Sequence, residues 1–351
     1  MVNTKLRETS NAVEWARLLA ERFVLFPAAA CLPAPWALRI ADGIGAVDAA
    51  IPVKTRRVAY QELASATRLP RKQIAPLVRE RLAMPRRDLV WRQRFRRGNE
   101  RLDDWQLTEI NAAPVRALLD QGVSFIAAGG HFTTAAGAVR LKVLPLSPMV
   151  WGATAHWQPN PFELRRRLDG QADEGIREGL MGMGTRGKNH PSLLIEVPDL
   201  WFRYTDWDRA PAFPDIQDRI LRHLATPGAV SQILIDAFWE KPNAHRRPFA
   251  GISERGFALG AARIARIAQC PIVPFVAVLG PRHRSVILEW GDPIIPGPVD
   301  DKSNDTKMLD AAIDFLERGI GRYPTQYRQA IGFDRLWDAS EQVWRQRRST
   351  A

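Results

Sequence analysis

The sequence predicts an α/β protein, with a mostly parallel central sheet covered by helices and a helical region ahead of it. From about residue 123 onward, short apolar runs of strand type alternate with helical stretches, the pattern of a parallel sheet with helices on both faces. Over 10–120, apolar positions recur at helical spacing with arginines on the opposing faces. A chain of 351 residues can also bury a full core, as one large domain or as such a domain with a helical prefix. The expected divisions are 1–120, helical and suited to a membrane interface; 121–335, the α/β domain; and 336–351, a basic tail.

No signal peptide is expected, because MVNTKLRETSNAVEW carries no apolar core followed by a small-residue cleavage site. The uncharged run FVLFPAAACLPAPWAL (23–38) holds three prolines and is shorter than a membrane span, so it is expected to dip into a leaflet without crossing. Trp15, Phe23, Phe26 and Trp36, interleaved with Arg17, Arg22 and Arg39, fit an interfacial element; a helix pair packed on the core fits equally well. Pro70 and Pro85 are expected to interrupt the helices. PRRDLVWRQRFRR (85–97) sets six arginines around Leu89, Val90, Trp91 and Phe95. That run reads either as a patch for anionic lipid or an acidic carrier, or as a solvated helix face.

Strands are expected at 123–128, 193–197, 232–237, 272–279 and 286–290, and helices at 257–268 and 308–320. Ligands of such sheets gather beyond the carboxyl ends of the strands. His131, in SFIAAGGHFTTAAGAVR (124–140), stands at that place, where an apolar run stops at two glycines and a small-residue helix pattern begins. The glycines leave room beside the ring, and a helix start offers backbone N–H groups.

The formal charge of +12 favours acidic partners, and 42 arginines against eight lysines favour bidentate grips on phosphate or carboxylate. A coding bias toward arginine accounts for much of the excess as well. No nucleic-acid reader motif accompanies the charge. Cys31 and Cys270 lie in apolar stretches, and the six histidines show no ligand spacing, so neither disulfide nor metal site is indicated. GMGTRGK (182–188) has the glycine and lysine spacing of a P-loop, but Asn189 stands where a magnesium-binding hydroxyl belongs. GISERG (251–256) misses the nucleophile elbow, because Arg255 replaces its second glycine.

The block GVSFIAAGGHFTTAAGAVR resembles the histidine block of the bacterial lipid A late (lauroyl/myristoyl) acyltransferases, relatives of the glycerolipid acyltransferases. Further pieces follow in the same order: LPAPWALRIADGIGAV, TRRVAYQELASA, NPFELRRRLDG, ILIDAFWE, RPFAG, GFALGAARIARIAQCPIVPFVAV and YPTQY, spanning about 30–330. The resemblance implies a glycerolipid acyltransferase-like fold, held peripherally at the cytoplasmic face of the inner membrane. It implies transfer of a fatty acyl group from an acyl carrier protein or CoA thioester to a hydroxyl or amine of a lipid acceptor. His131 would be the general base, with no cofactor beyond the thioester. In that family an acidic residue follows the histidine by five positions; here the position is Ala136.

Three outcomes are therefore open. A carboxylate from elsewhere reaches His131, with Asp236 the first choice and Glu196, Glu240 and Glu254 behind it; or His131 works alone; or catalysis is lost and the protein binds lipid or a partner. Arg165, Arg166, Arg167 and Arg255 are the candidates for binding a headgroup phosphate or phosphopantetheine, or for steadying an oxyanion. Pro274 is expected to end its strand as a structural residue.

Overall fold

The computed structural model describes residues 16, 19–51, 54–67, 69–97, 99–100, 104–133, 213–236, 244–327, 335–338 and 343–346. The chain enters through a π-helical turn, Glu21–Leu25, that runs directly into α1 (Phe26–Cys31). Pro27 explains the widened turn: it has no N–H to give to the carbonyl four residues back, and its ring crowds that carbonyl. Pro33 and Pro35 then open α2 (Ala34–Ala50), where a missing N–H costs nothing. After α3 (Lys54–Thr67) comes α4 (Arg71–Arg97), 27 residues long. Gly45 sets how closely α2 and α4 approach, since a Cβ there would stand 2.5 Å from the Ala83 Cα.

Pro70 falls between α3 and α4 as expected, but Pro85 does not interrupt the helix, and α4 runs through both Pro76 and Pro85. Burial explains the tolerance: Leu82, Ala83, Met84, Val90 and Trp91 are all in the core around it, and packing outweighs one lost ladder bond. A second departure follows α4. The expected helical stretch 10–120 contains a strand, β1 (Gln106–Ile110), before α5 (Ala113–Asp120).

The remaining elements are β2 (Phe125–Gly129), α6 (Phe213–Leu224), β3 (Val230–Leu234), β4 (His245–Phe249), β5 (Ile252–Phe257), α7 (Gly260–Ala268), β6 (Ile272–Leu279), β7 (Ser285–Trp290), α8 (Asn304–Arg322), β8 (Arg335–Asp338) and β9 (Val343–Gln346). Five strands form the central sheet in the order β1-β7-β6-β2-β3, all neighbours parallel except β6 and β7. Two hairpins, β4-β5 and β8-β9, stand outside it; the second occupies part of the expected tail. The run expected as a strand at 193–197 lies outside the described residues, as does the helix expected after His131.

Alternation along β2 assigns its two faces. Ile126 and Ala128 join the cluster built by α7 and α8, with Ala262, Ala265, Leu309, Ile313 and Leu316. Phe125 and Ala127 join the opposite cluster, where Ala34 of α2, Trp91 of α4 and Val115 of α5 cover Phe275, Leu288 and Trp290 of the sheet. The N-terminal helices are thus one of the two layers that bury the sheet.

Pro274 does not end its strand. It is the third residue of β6, aligned with Ala128 of β2, and its carbonyl accepts the Gly291 N–H at 2.8 Å. Proline is rare inside a sheet because it cannot donate. Here it stands where pairing changes hands: β2 is engaged through Ile272, Val273 and Pro274, and β7 from Phe275 onward. Beyond Pro274 the pairing of the two parallel strands ends, and the Phe275 ring lies against the end of β2.

Candidate functional site

The site forms where β2 and β3 leave the sheet together. Gly129 pairs with Leu234, and the Ile235 N–H donates to the Gly129 carbonyl at 2.9 Å. Two residues past each strand end, His131 and Asp236 therefore stand level on adjacent chains. Asp236 lies beyond β3 and not inside the expected strand 232–237, which places its side chain at the mouth of the sheet.

Both glycines before His131 have steric reasons. A Cβ on Gly129 would fall 2.3 Å from the Phe275 ring, which fills the gap left where β6 turns away from β2. A Cβ on Gly130 would stand 3.1 Å from Asp236 Oδ2 and 3.4 Å from both Leu316 and Phe132. Any larger residue there would displace the carboxylate.

Asp236 is fully buried and holds His131 twice. Its Oδ2 accepts the His131 backbone N–H at 2.6 Å, and its Oδ1 lies 2.6 Å from His131 Nδ1. An ionised carboxylate has only lone pairs to offer, so Nδ1 carries the proton and Nε2 carries the basic lone pair. The imidazole side chain is 25 % exposed against 0 % for Asp236. An oriented base at the protein surface, backed by a buried carboxylate, can take a proton from an incoming hydroxyl or amine.

Backbone donors are another matter. The His131 N–H is spent on Asp236, and the Phe132 N–H donates to the Gly130 carbonyl at 2.9 Å. These two amides are not available to an oxyanion; the helix expected to offer further donors lies outside the described residues. The Thr133 hydroxyl is buried and has no hydrogen-bond partner among the described residues.

No family model matches the chain, and no curated protein matches it. The geometry of the site is therefore what speaks for its chemistry.

The segment YPTQY, which ends the described part of the α/β region, reaches the same site. The Gln326 amide bonds both backbone groups of Leu279, accepting its N–H at 2.7 Å and donating to its carbonyl at 2.9 Å. It acts as a strand residue would and pins this segment to the end of β6. The next residue, Tyr327, is buried with its ring edge-on to Phe132 at 5.4 Å and to Phe249 at 6.4 Å. Burial pushes its phenol well above the ordinary range, and the nearby Asp236 charge adds to this. The hydroxyl approaches Asp236 yet forms no well-aligned hydrogen bond. Sequence reasoning missed Tyr327; its only signal was a tyrosine following a glutamine after the last helix.

Arg165, Arg166, Arg167, Glu196 and Glu240 lie outside the described residues. Arg255 is buried within β5, and Glu254 pairs with Arg246 at 3.2 Å on the surface. Three arginines of the run 85–97 meet acids: the buried Arg86 to Glu21 at 3.0 Å and Asp48 at 2.5 Å, the buried Arg94 to Glu100 at 2.7 Å, and the part-exposed Arg87 to Asp42 at 2.5 Å. Arginines matched with acids this way offer little to an acidic carrier, which corrects the patch reading for those three. Cys31 is exposed, not sheltered among apolar groups, whereas Cys270 is buried and its thiol is pushed up to about 12. Among the described residues, no three His, Cys, Asp or Glu side chains are placed to hold a metal ion. His245 and Arg247 instead bind α8 carboxylates: His245 to Asp310 at 2.7 Å, and Arg247 to Asp310, Asp314 and Glu317. That cluster clamps the β4-β5 hairpin onto α8.

Proposed function

We propose that this chain is an acyltransferase of the glycerolipid acyltransferase-like fold, kin to the lipid A late acyltransferases. It moves a fatty acyl group from an acyl carrier protein or CoA thioester to a hydroxyl or amine of a lipid acceptor at the cytoplasmic face of the inner membrane. The observation that carries this reading is the His131–Asp236 pair, 2.6 Å apart at the carboxyl ends of two parallel strands. It supplies the carboxylate that Ala136 cannot.

In this mechanism Nε2 of His131 takes the acceptor proton as the acceptor oxygen or nitrogen attacks the thioester carbonyl. The tetrahedral intermediate collapses, the C–S bond breaks, and the imidazolium returns its proton to the departing thiolate. Asp236 holds the ring and stabilises its positive charge. Arg165, Arg166, Arg167 and Arg255 remain the proposed contacts for a headgroup phosphate or phosphopantetheine.

Exposed apolar side chains support a membrane setting. Leu19, Phe23, Val24, Leu32 and Trp36 all lie within residues 19–36 and face solvent, and Arg39 stacks over Trp36 at 4.9 Å. Among the described residues no helix is long and apolar enough to cross a membrane.

The test is thioester consumption with lipid acceptors. His131→Ala should abolish transfer, and Asp236→Asn should lower kcat by about 10²–10⁴-fold with KM little changed. Equal slow turnover by wild type and His131→Ala, with both still binding lipid vesicles, would replace the reading with that of a non-catalytic lipid binder.

A further inference from the structure

We infer that Tyr327 is a positioning residue for the site, its hydroxyl donating to Asp236 and fixing the carboxylate that in turn orients His131. The inference rests on the reading of His131 as the base. Three independent placements support it. The Tyr327 hydroxyl is buried without a hydrogen-bond partner among the described residues, and a buried hydroxyl needs an acceptor. Its ring packs on Phe132, the residue after His131, while Gln326 ties the preceding residue to the end of β6. Asp236 is buried completely, and its two bonds to His131 leave lone pairs for a third donor.

The phenol is suited to donating and not to ionising. Burial raises its pKa first, the Asp236 charge adds to that, Glu62 acts in the same direction, and Arg81 opposes them. Glu62 and Arg81 face one another 3.4 Å apart on α3 and α4, so the pair exerts a small net field on the phenol. The proton therefore stays on Tyr327 across the range in which an imidazole titrates. A neutral donor locks the carboxylate without cancelling the charge that the imidazolium needs.

Tyr327→Phe keeps both ring contacts and removes only the hydroxyl. It should lower kcat about tenfold, the scale of one hydrogen bond to a charged group, with the thioester KM unchanged. In protein labelled with ¹⁵N-histidine, the low-field Nδ1–H proton of His131, identified by its loss in His131→Gln, should move to higher field and exchange faster. A packing role alone would leave that resonance in place. If it stays put and kcat is unchanged, the inference is overturned. If it moves while wild type transfers no acyl group, the positioning role stands and the acyltransferase reading fails. Should Tyr327→Phe not fold, protein containing 3-fluorotyrosine decides the matter. The fluorine signal of the most buried tyrosine must then shift on Asp236→Asn and not on Glu254→Gln, and no shift on Asp236→Asn overturns the inference.

Discussion

At His131 the distinction between a buried structural histidine and a usable base comes down to two glycines. Gly129 admits the Phe275 ring, and Gly130 admits the Asp236 carboxylate. Gly129→Ala would drive a methyl group into an aromatic ring 2.3 Å away, and overpacking of that kind costs about 1–3 kcal/mol. Urea unfolding should show the loss, together with reduced acyl transfer, because the Gly129 carbonyl also sets the register of β3 through Ile235. The glycines and the histidine were legible in the sequence as a strand ending at a roomy junction. Their partner Asp236 was legible only as one of several acids near strand ends, and Tyr327 was not legible, because the ring contact that brings it to Phe132 spans about two hundred positions of chain.

Single elements owe their placement to buried ion pairs as much as to apolar faces. Glu100 is fully buried and receives Arg94 at 2.7 Å from α4 and Arg284 at 2.7 Å from the β6-β7 turn. Arg94 reaches on to the carbonyls of Ala29 and Leu32 at the end of α1. One carboxylate thus ties the helical layer to the sheet. Glu100→Gln would strand two guanidinium groups, and breaking a buried pair from one side costs about 3–5 kcal/mol. Equilibrium denaturation should show that loss, whereas Glu254→Gln, at an exposed pair, should change stability by less than about 1 kcal/mol. The arginines of 85–97 read as a surface patch because helical periodicity alone does not reveal which acids lie across from them. Strand β1 was read as helix for a similar reason: its exposure alternates along QLTEI, and five residues with one edge partner carry too short a pattern to separate the two periods.

At the scale of the whole molecule, five of the eleven large apolar side chains exposed among the described residues fall within 19–36, with Phe23 at 68 % and Trp36 at 58 % exposed. If this face meets a bilayer, Phe23→Asp and Trp36→Asp should each weaken binding to anionic phospholipid vesicles about tenfold, the scale of burying one large side chain. Raising salt should weaken wild-type binding further by screening the arginines. Flotation assays at two salt concentrations measure both effects. Equal binding by wild type and both variants would detach this face from the membrane. The same helices cover one side of the sheet through Ala34 and Trp91, so the core packing is in place, and the vesicle assay decides whether the exposed side chains meet a membrane.

By itself the sequence determined the α/β class of the fold and the place of His131 at the end of a strand. Strand and helix periods are local properties, and β6 and the Gly-Gly-His junction announce themselves within a few residues. Tertiary structure alone decided which carboxylate meets the imidazole, which arginines are spent on internal acids, and which tyrosine packs on Phe132. Those outcomes depend on strand order and on the parting of β6 from β2 at Pro274, and both arise from pairing between segments far apart along the chain.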